Sequence, residues 1–135
     1  MNTATRIDAV LVREADRLAM LPRHFGGYAT RLEDRVYDFM GEFAREYRGG
    51  YWEFVELSNG GCYLRPPAAT YAIRIDCNGF EGSLSADAAG ITVCLFALSH
   101  LSFEHPEGAF ARHFYALRAF ALEHAEASAI FAAID

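Results

Sequence analysis

The chain has 135 residues, 53% of them hydrophobic, and a formal net charge of −6. A chain of this length can bury one substantial core, so we expect residues 1–135 to form a single domain. All 12 basic residues are arginines and form no stripe, which argues against direct nucleic-acid binding. The N-terminus lacks the pattern of a signal peptide, and the most apolar run, Ala88 to Leu98, is shorter than the roughly 20 residues that span a bilayer. The sequence therefore predicts a soluble, cytoplasmic protein.

The cysteines are odd in number and form no CxxC pair. They are Cys62, Cys77 and Cys94, and this count argues against a disulfide framework. Each lies at an apolar strand or helix position. We therefore expect all three to be buried and chemically inert.

Two amphipathic helices are predicted in the first fifty residues. Apolar residues at helical spacing indicate a helix from Ile7 to Leu21 that Pro22 ends. A second apolar stripe runs from Leu32 to Tyr47, before two glycines. Thr30 and Glu33 have the spacing of a capping box at the start of this second helix.

A first β-hairpin is predicted around Asn59-Gly60, a dipeptide typical of tight turns, because strand-like runs flank it on both sides. A two-residue turn would place Val55 opposite Leu64 and Phe54 opposite Arg65. Alternating side chains then divide between two faces of the hairpin. The predicted core face carries Val55, Leu57, Cys62 and Leu64, and the opposite face carries Trp52, Phe54, Glu56, Tyr63 and Arg65.

A second hairpin is predicted around Asn78-Gly79, between a strand from Tyr71 to Cys77 and a strand from Phe80 to Leu84. A two-residue turn would set Asp76 opposite Glu81. Like charges that face each other destabilise a sheet. We expect an arginine, Arg74 or Arg65, to neutralise this pair.

The remainder of the chain is predicted to be helical. Ser85 has the position of an N-cap for a helix from Ala86 to about Phe103, whose apolar residues on nearly all sides predict burial. Two more helices follow, one with the stripe from Phe110 to Ala121 and one from about Ala125 to Ile134. The predicted class is α+β, with an antiparallel sheet of about four strands packed with N-terminal and C-terminal helices.

One group of histidines and glutamates lies close together in the sequence. It comprises His100, His105, His113, Glu104 and Glu107. The group matches no HExxH or other metal-ligand spacing, and such a cluster between helices is usually solvated surface. The glycine pairs also lack the context of a phosphate-binding loop. We expect no catalytic residue, metal or cofactor, and a small hydrolase that uses this group is the alternative.

The mixed aromatic and charged face of the first hairpin is the candidate binding surface, because aromatic residues and arginine suit a protein interface. Acids of the second hairpin would extend it if the hairpins are neighbours. The predicted binding residues are Trp52, Phe54, Glu56, Tyr63, Arg65, Asp76 and Glu81. The other interpretation is that a helix packs on this face, as often happens in α+β folds.

Several segments share their order and spacing with a known family. They are Leu21-Pro22 with Phe25-Gly26, Gly49 to Phe54, Leu57 to Gly61, Asn78 to Phe80, Leu84 to Ile91, and Ala132 to Asp135. Over nearly the whole chain these segments resemble the ArdB/KlcA antirestriction family. The resemblance implies an α+β fold and a small bacterial protein, carried on a plasmid or genomic island, that protects incoming DNA from type I restriction. Cys62 replaces the family's more usual aromatic residue, residues 64–67 also diverge, and no catalytic residue carries over.

Antirestriction proteins of other families imitate DNA, and the charge of this chain tests that mechanism. A mimic of roughly 15 base pairs would need about 30 negative charges, whereas the net charge is −6. Only a local acidic patch remains, around Glu53, Glu56, Asp76, Glu81 and Asp87. We predict that the protein relieves type I restriction by contact with the restriction-modification complex or an associated host protein, or indirectly. A plasmid-maintenance partner is a further alternative.

Overall fold

The computed structural model describes residues 6–135, and this part of the chain contains five α-helices and two small antiparallel sheets. The strands are β1 (Ala9–Leu11), β2 (Glu53–Leu57), β3 (Cys62–Arg65), β4 (Thr70–Ile75) and β5 (Phe80–Ser85). The helices are α1 (Arg17–Phe25), α2 (Ala29–Phe43), α3 (Ala86–Glu104), α4 (Phe110–Leu122) and α5 (Ala127–Ile134). The predicted α+β class is confirmed. The two hairpins lie in separate sheets, one ordered β1-β2-β3 and the other formed by β4 and β5.

The N-terminal segment differs from the predicted helix. β1 is an exposed edge strand antiparallel to β2, with Leu11 opposite Val55, and α1 begins only at Arg17 and continues past Pro22 to Phe25. Apolar spacing could not distinguish the two states, because a run of three residues fits both periods. The proline is tolerated because the carbonyl that it leaves without a helical partner belongs to Leu18, which is 92% exposed to solvent.

α2 begins near the predicted position without the predicted capping box. Its N-cap is Tyr28, with no side-chain cap bond, and Thr30 lies inside the helix. Glu33 instead accepts a hydrogen bond from the Tyr37 hydroxyl at 2.7 Å. The predicted apolar stripe is confirmed as the buried face, although the helix ends at Phe43, before Tyr47.

The first hairpin forms as predicted, but its register is shifted by one residue. Val55 lies opposite Tyr63 rather than Leu64, because the loop has three residues, 58–60. Only Gly60 in this loop has a positive φ, +90°, which fits a type I turn followed by a left-handed residue. The Asn59 side chain stabilises the loop by accepting a hydrogen bond from the Gly61 N–H at 3.0 Å. A shift of one residue on a single strand changes which side chains share a face.

The second hairpin has a register that removes the predicted repulsion. Its loop has four residues, 76–79, so that Arg74 rather than Asp76 lies opposite Glu81. The Arg74 Nε atom also lies 3.3 Å from an Asp76 carboxylate oxygen. A shift of two residues preserves the faces, and the core face of β4 is buried as predicted. Cys77 is an exception, because it lies in the loop and is exposed rather than buried.

α3 is the central element of the fold, as its apolar sequence predicts. The Ser85 hydroxyl caps it by accepting a hydrogen bond from the Ala88 N–H at 3.1 Å, and the helix packs against both hairpins, α2, α4 and α5. Length and composition alone would allow α3 to cross a membrane, but 61% of its most apolar stretch is buried inside the fold. It is therefore a core helix. Gly90 allows close packing on β3, since a Cβ atom there would lie 2.2 Å from the Leu64 carbonyl oxygen.

Candidate functional site

Three of the predicted binding residues are buried. The exposed fraction is 2% for Trp52, 5% for Phe54 and 2% for Tyr63. Trp52 packs against the Tyr37 ring of α2 and donates a hydrogen bond to the Tyr47 hydroxyl at 2.9 Å. The expectation of an exposed aromatic face is therefore wrong for these three residues, and the alternative of a helix packed there holds.

The other four predicted residues do not form one surface. Glu56 and Arg65 are partly buried and point to opposite faces of the first hairpin, because the shifted register places Glu56 beside Cys62. Asp76 and Glu81 are exposed on the second hairpin, which belongs to the other sheet. A role for these four in binding stays a prediction.

Glu56 is the centre of a small charged cluster between β2 and α1. Its Oε2 atom accepts hydrogen bonds from Arg23 at 2.7 Å and from His24 Nε2 at 2.6 Å. Burial alone would raise the pKa of Glu56, but the bonds from Arg23 and His24 outweigh it and hold the pKa below its usual value. Glu56 is therefore an ionised carboxylate near neutral pH.

Several exposed apolar residues lie on the same side of the molecule as the Glu56 cluster. Val10, Leu11, Leu18 and Tyr51 are 63%, 49%, 92% and 54% exposed, and with Glu56 we call them the edge surface. Shallow grooves run between these side chains. Apolar and aromatic groups near arginines and a carboxylate are typical of protein contact sites.

Arg17 holds Tyr51, the aromatic residue of the edge surface, in position. Its guanidinium carbon lies 4.1 Å from the centre of the Tyr51 ring and 4.4 Å from that of Phe54. The Nη2 atom donates a hydrogen bond to the Trp52 carbonyl at 2.6 Å. This arrangement fixes the partly exposed Tyr51 ring, so that little side-chain entropy would be lost when a partner binds.

Asp87 is the centre of a second polar cluster, on the other side of the hairpin. Its Oδ1 atom accepts hydrogen bonds from Tyr63 at 2.6 Å and Arg65 at 3.0 Å, and its Oδ2 atom lies 2.8 Å from His124 Nε2. The Glu126 N–H donates to His124 Nδ1 at 2.9 Å, so Nε2 carries the proton that His124 donates to Asp87. One carboxylate thus joins β3, the start of α3 and the connection between α4 and α5.

Replacing Asp87 with asparagine should lower the free energy of unfolding by about 2 kcal/mol at neutral pH, since the change leaves the partly buried Arg65 without one charged partner. Burial would raise the pKa of Asp87, but the bonds from Tyr63, His124 and Arg65 lower it overall. The carboxylate therefore stabilises the fold above the unfolded pKa of about 4, and the contribution is lost as pH falls through the folded value.

Urea denaturation at pH 7 and pH 3 checks this expectation. The difference between wild type and Asp87→Asn should shrink at the lower pH. Asp76→Asn is the matched control, because Asp76 is exposed, and it should change stability little at either pH. A difference for Asp87→Asn that is equal at both pH values would contradict the assigned role.

The residues proposed for a hydrolase do not converge. His100 packs against the Phe39 ring, His105 lies beside Tyr28 and Glu107, and His113 is fully buried. Glu104 forms two hydrogen bonds with Arg35, at 2.8 and 3.0 Å. The pair that the structure does bring together is His105 with Glu107, whose Nδ1 and Oε2 atoms lie 3.6 Å apart, and one such pair without converging partners does not make a catalytic site.

Sequence reasoning missed a different cluster. His24, Cys62 and His113 come from α1, β3 and α4, and one potential ligand atom of each lies within 4.8 Å of the other two. These residues are far apart along the chain and match no motif, so only the fold brings them together. Among residues 6–135 they are the one group of histidine, cysteine and carboxylate side chains close enough to hold a metal.

Known proteins have sequences similar to most of this chain. The sequence model of the antirestriction protein family matches residues 45–135. One Escherichia coli protein named antirestriction protein KlcA is 47% identical over 96% of this chain and 94% of its own. Another of the same name and organism is 44% identical over 100% of both chains.

A solved structure is also similar to this chain. It has a TM-score of 0.90 and 44% sequence identity, and the match covers 100% of both chains. The KlcA and ArdB proteins described with that structure show a novel fold and antirestriction activity against type I DNA restriction systems in vivo but not in vitro.

Proposed function

The chain belongs to the antirestriction protein family, and we propose that it relieves type I restriction of incoming DNA in the bacterial cytoplasm by protein contact. The partner is the type I restriction-modification complex or an associated host protein. The similar KlcA and ArdB proteins are active in vivo but not in vitro. That difference supports a mechanism that requires a cellular component beyond the purified restriction system.

The distribution of charge supports protein contact over imitation of DNA. A mimic needs rows of unpaired negative charge at the density of phosphates. Every acid of the predicted acidic patch instead has a cationic neighbour. Glu53 pairs with Arg65, Glu56 with Arg23, Asp87 with Arg65 and Asp76 with Arg74, while Glu81 lies opposite Arg74.

The edge surface is the part of the molecule that best fits a protein partner, and this is the observation on which the proposal rests. It combines the exposed apolar side chains of β1 and α1 with the Tyr51 ring, which Arg17 holds in place. Burial of such groups supplies most of the binding energy in protein interfaces. Glu56 supplies the charge at its margin.

The proposal can be tested by the plating efficiency of unmodified phage on a host with a type I restriction system. The wild-type protein should raise plating, and the double variant Leu18→Ser with Tyr51→Ser should lose at least about tenfold of that effect, since hot-spot residues each contribute more than 1 kcal/mol. The matched control is Phe103→Ser with Tyr115→Ser. It removes two exposed hydrophobic side chains from α3 and α4, 85% and 68% exposed, and should keep full activity.

Circular dichroism establishes that both double variants are folded. If the folded edge variant keeps full activity, the edge surface is not the contact. The other predicted binding residues are then tested with Asp76→Asn combined with Glu81→Gln, and with Arg65→Gln. If the wild-type protein does not change plating on any type I host, restriction relief itself is wrong for this chain.

A further inference from the structure

We propose that His24, Cys62 and His113 bind a divalent transition-metal ion of the Zn²⁺ class. Imidazole nitrogen and thiolate sulfur are the ligands that Zn²⁺ prefers in proteins. The three potential ligand atoms lie within 4.8 Å of one another. An ion bound there would connect α1, β3 and α4 at one point. The argument for this site does not rest on the proposed restriction activity.

His113 gives the second, independent observation. Its side chain is 0% exposed, and neither ring nitrogen has a hydrogen-bond partner among the described residues. The ring packs against Phe25 and His24, with centroid separations of 4.3 and 5.0 Å. A fully buried imidazole with no partner is rare, because buried polar groups are normally satisfied by a bond or an ion. Coordination would satisfy one of its nitrogens.

The geometry requires only a small adjustment. Zn–N and Zn–S distances of about 2.1 and 2.3 Å place tetrahedral ligand atoms about 3.4 to 3.6 Å apart. The present separations between these ligand atoms are at most 4.8 Å. Side-chain rotations that move each ligand atom by about an ångström would therefore complete the site. The strand and both helices can keep their backbone positions.

Glu56 is suited to orient His24 toward such an ion. Its carboxylate bonds His24 Nε2 at 2.6 Å, which leaves Nδ1 as the nitrogen available for coordination. A carboxylate behind a metal-bound histidine is a recurring arrangement that fixes the ring. The His24 and Glu56 side chains are 16% and 32% exposed, so this corner gives the ion a route from solvent, and a water molecule would serve as the fourth ligand.

Charge also favours the site. The thiolate of Cys62 and the carboxylate of Glu56 together balance the two charges of the ion. Burial raises the pKa of the Cys62 thiol, so the thiol is protonated without metal and releases its proton to solvent when the metal–sulfur bond forms. The protonated, metal-free thiol is therefore a poor nucleophile.

Cobalt substitution tests the site in the full-length, chelator-treated protein. One equivalent of Co²⁺ should produce a thiolate-to-cobalt charge-transfer band and intense tetrahedral d–d bands. Zn²⁺ at a hundredfold excess over its Kd should raise the Tm by about 10 °C. Both signals should persist in Cys77→Ala, which removes an exposed thiol outside the cluster.

The decisive variants remove single ligands. Cys62→Ala should abolish the charge-transfer band and the thermal shift, and His113→Phe should weaken Co²⁺ binding by at least tenfold while keeping the packing on Phe25. A wild-type protein with neither signal overturns the proposal. So does a band that survives in Cys62→Ala but disappears in Cys77→Ala. The wild-type spectrum decides even if a variant fails to fold.

Discussion

Replacement of Gly90 by alanine is expected to lower the free energy of unfolding by about 3 kcal/mol, because an added methyl group overpacks the contact between α3 and β3. The new Cβ atom would lie 2.2 Å from the Leu64 carbonyl oxygen and 3.1 Å from the Arg65 Cα atom. Both are backbone atoms, so the clash cannot be relieved by a change of rotamer. The helix or the strand must move.

Gly41→Ala is the matched control, since Gly41 also lies within a helix but its added Cβ would meet nothing within 4 Å. That change should raise stability by about 0.5 to 1 kcal/mol through helix propensity. Chemical denaturation of both variants and wild type measures the two effects. If both substitutions changed the free energy of unfolding by the same amount, α3 would not approach β3 as closely as described.

The second large effect is a loss of stability in mild acid that His113 causes. Burial, with smaller contributions from His24 and Arg112, lowers the pKa of His113 from 6.5 to about 4. Between these values the unfolded chain binds a proton that the folded chain does not, so stability falls as pH falls. The loss from this one group should approach about 3 kcal/mol at pH 4 and level off below it.

Urea denaturation at pH 7 and pH 4.5, with a chelator present to exclude metals, measures this effect. His113→Phe removes the titrating group and should flatten the dependence on pH in that window. His100→Gln is the control, because His100 is exposed, and it should leave the dependence unchanged. An unaltered slope in His113→Phe would assign the acid sensitivity to another group.

Local signals predicted the elements of this fold better than their pairing. The Ser85 cap and the apolar surface of α3 are encoded within one segment, and the helix forms where these signals place it. The Asn-Gly pairs correctly marked both hairpins. They did not determine loop length, because the same dipeptide occupies the end of a three-residue loop and of a four-residue loop. Register then followed from packing and charge across the strands.

The candidate site was harder to predict for the same reason. A shift of one residue in the first hairpin reassigned its faces, and burial on both sides placed Trp52 and Tyr63 in the core. β1 completes the edge surface, but three residues carry too little periodicity to be recognised as a strand. His24, Cys62 and His113 lie close together only because of the tertiary structure. No local pattern could have indicated it.

The separation of the two sheets has a consequence for how the two hairpins respond to substitution. No backbone hydrogen-bond ladder joins the two hairpins. They are connected through α3, which packs against both. A change in one hairpin need not propagate to the other through strand pairing. Cys62 and residues 64–67 lie in the first hairpin or directly after it. Such modular construction lets new local chemistry arise in one hairpin while the rest of the molecule keeps its shape.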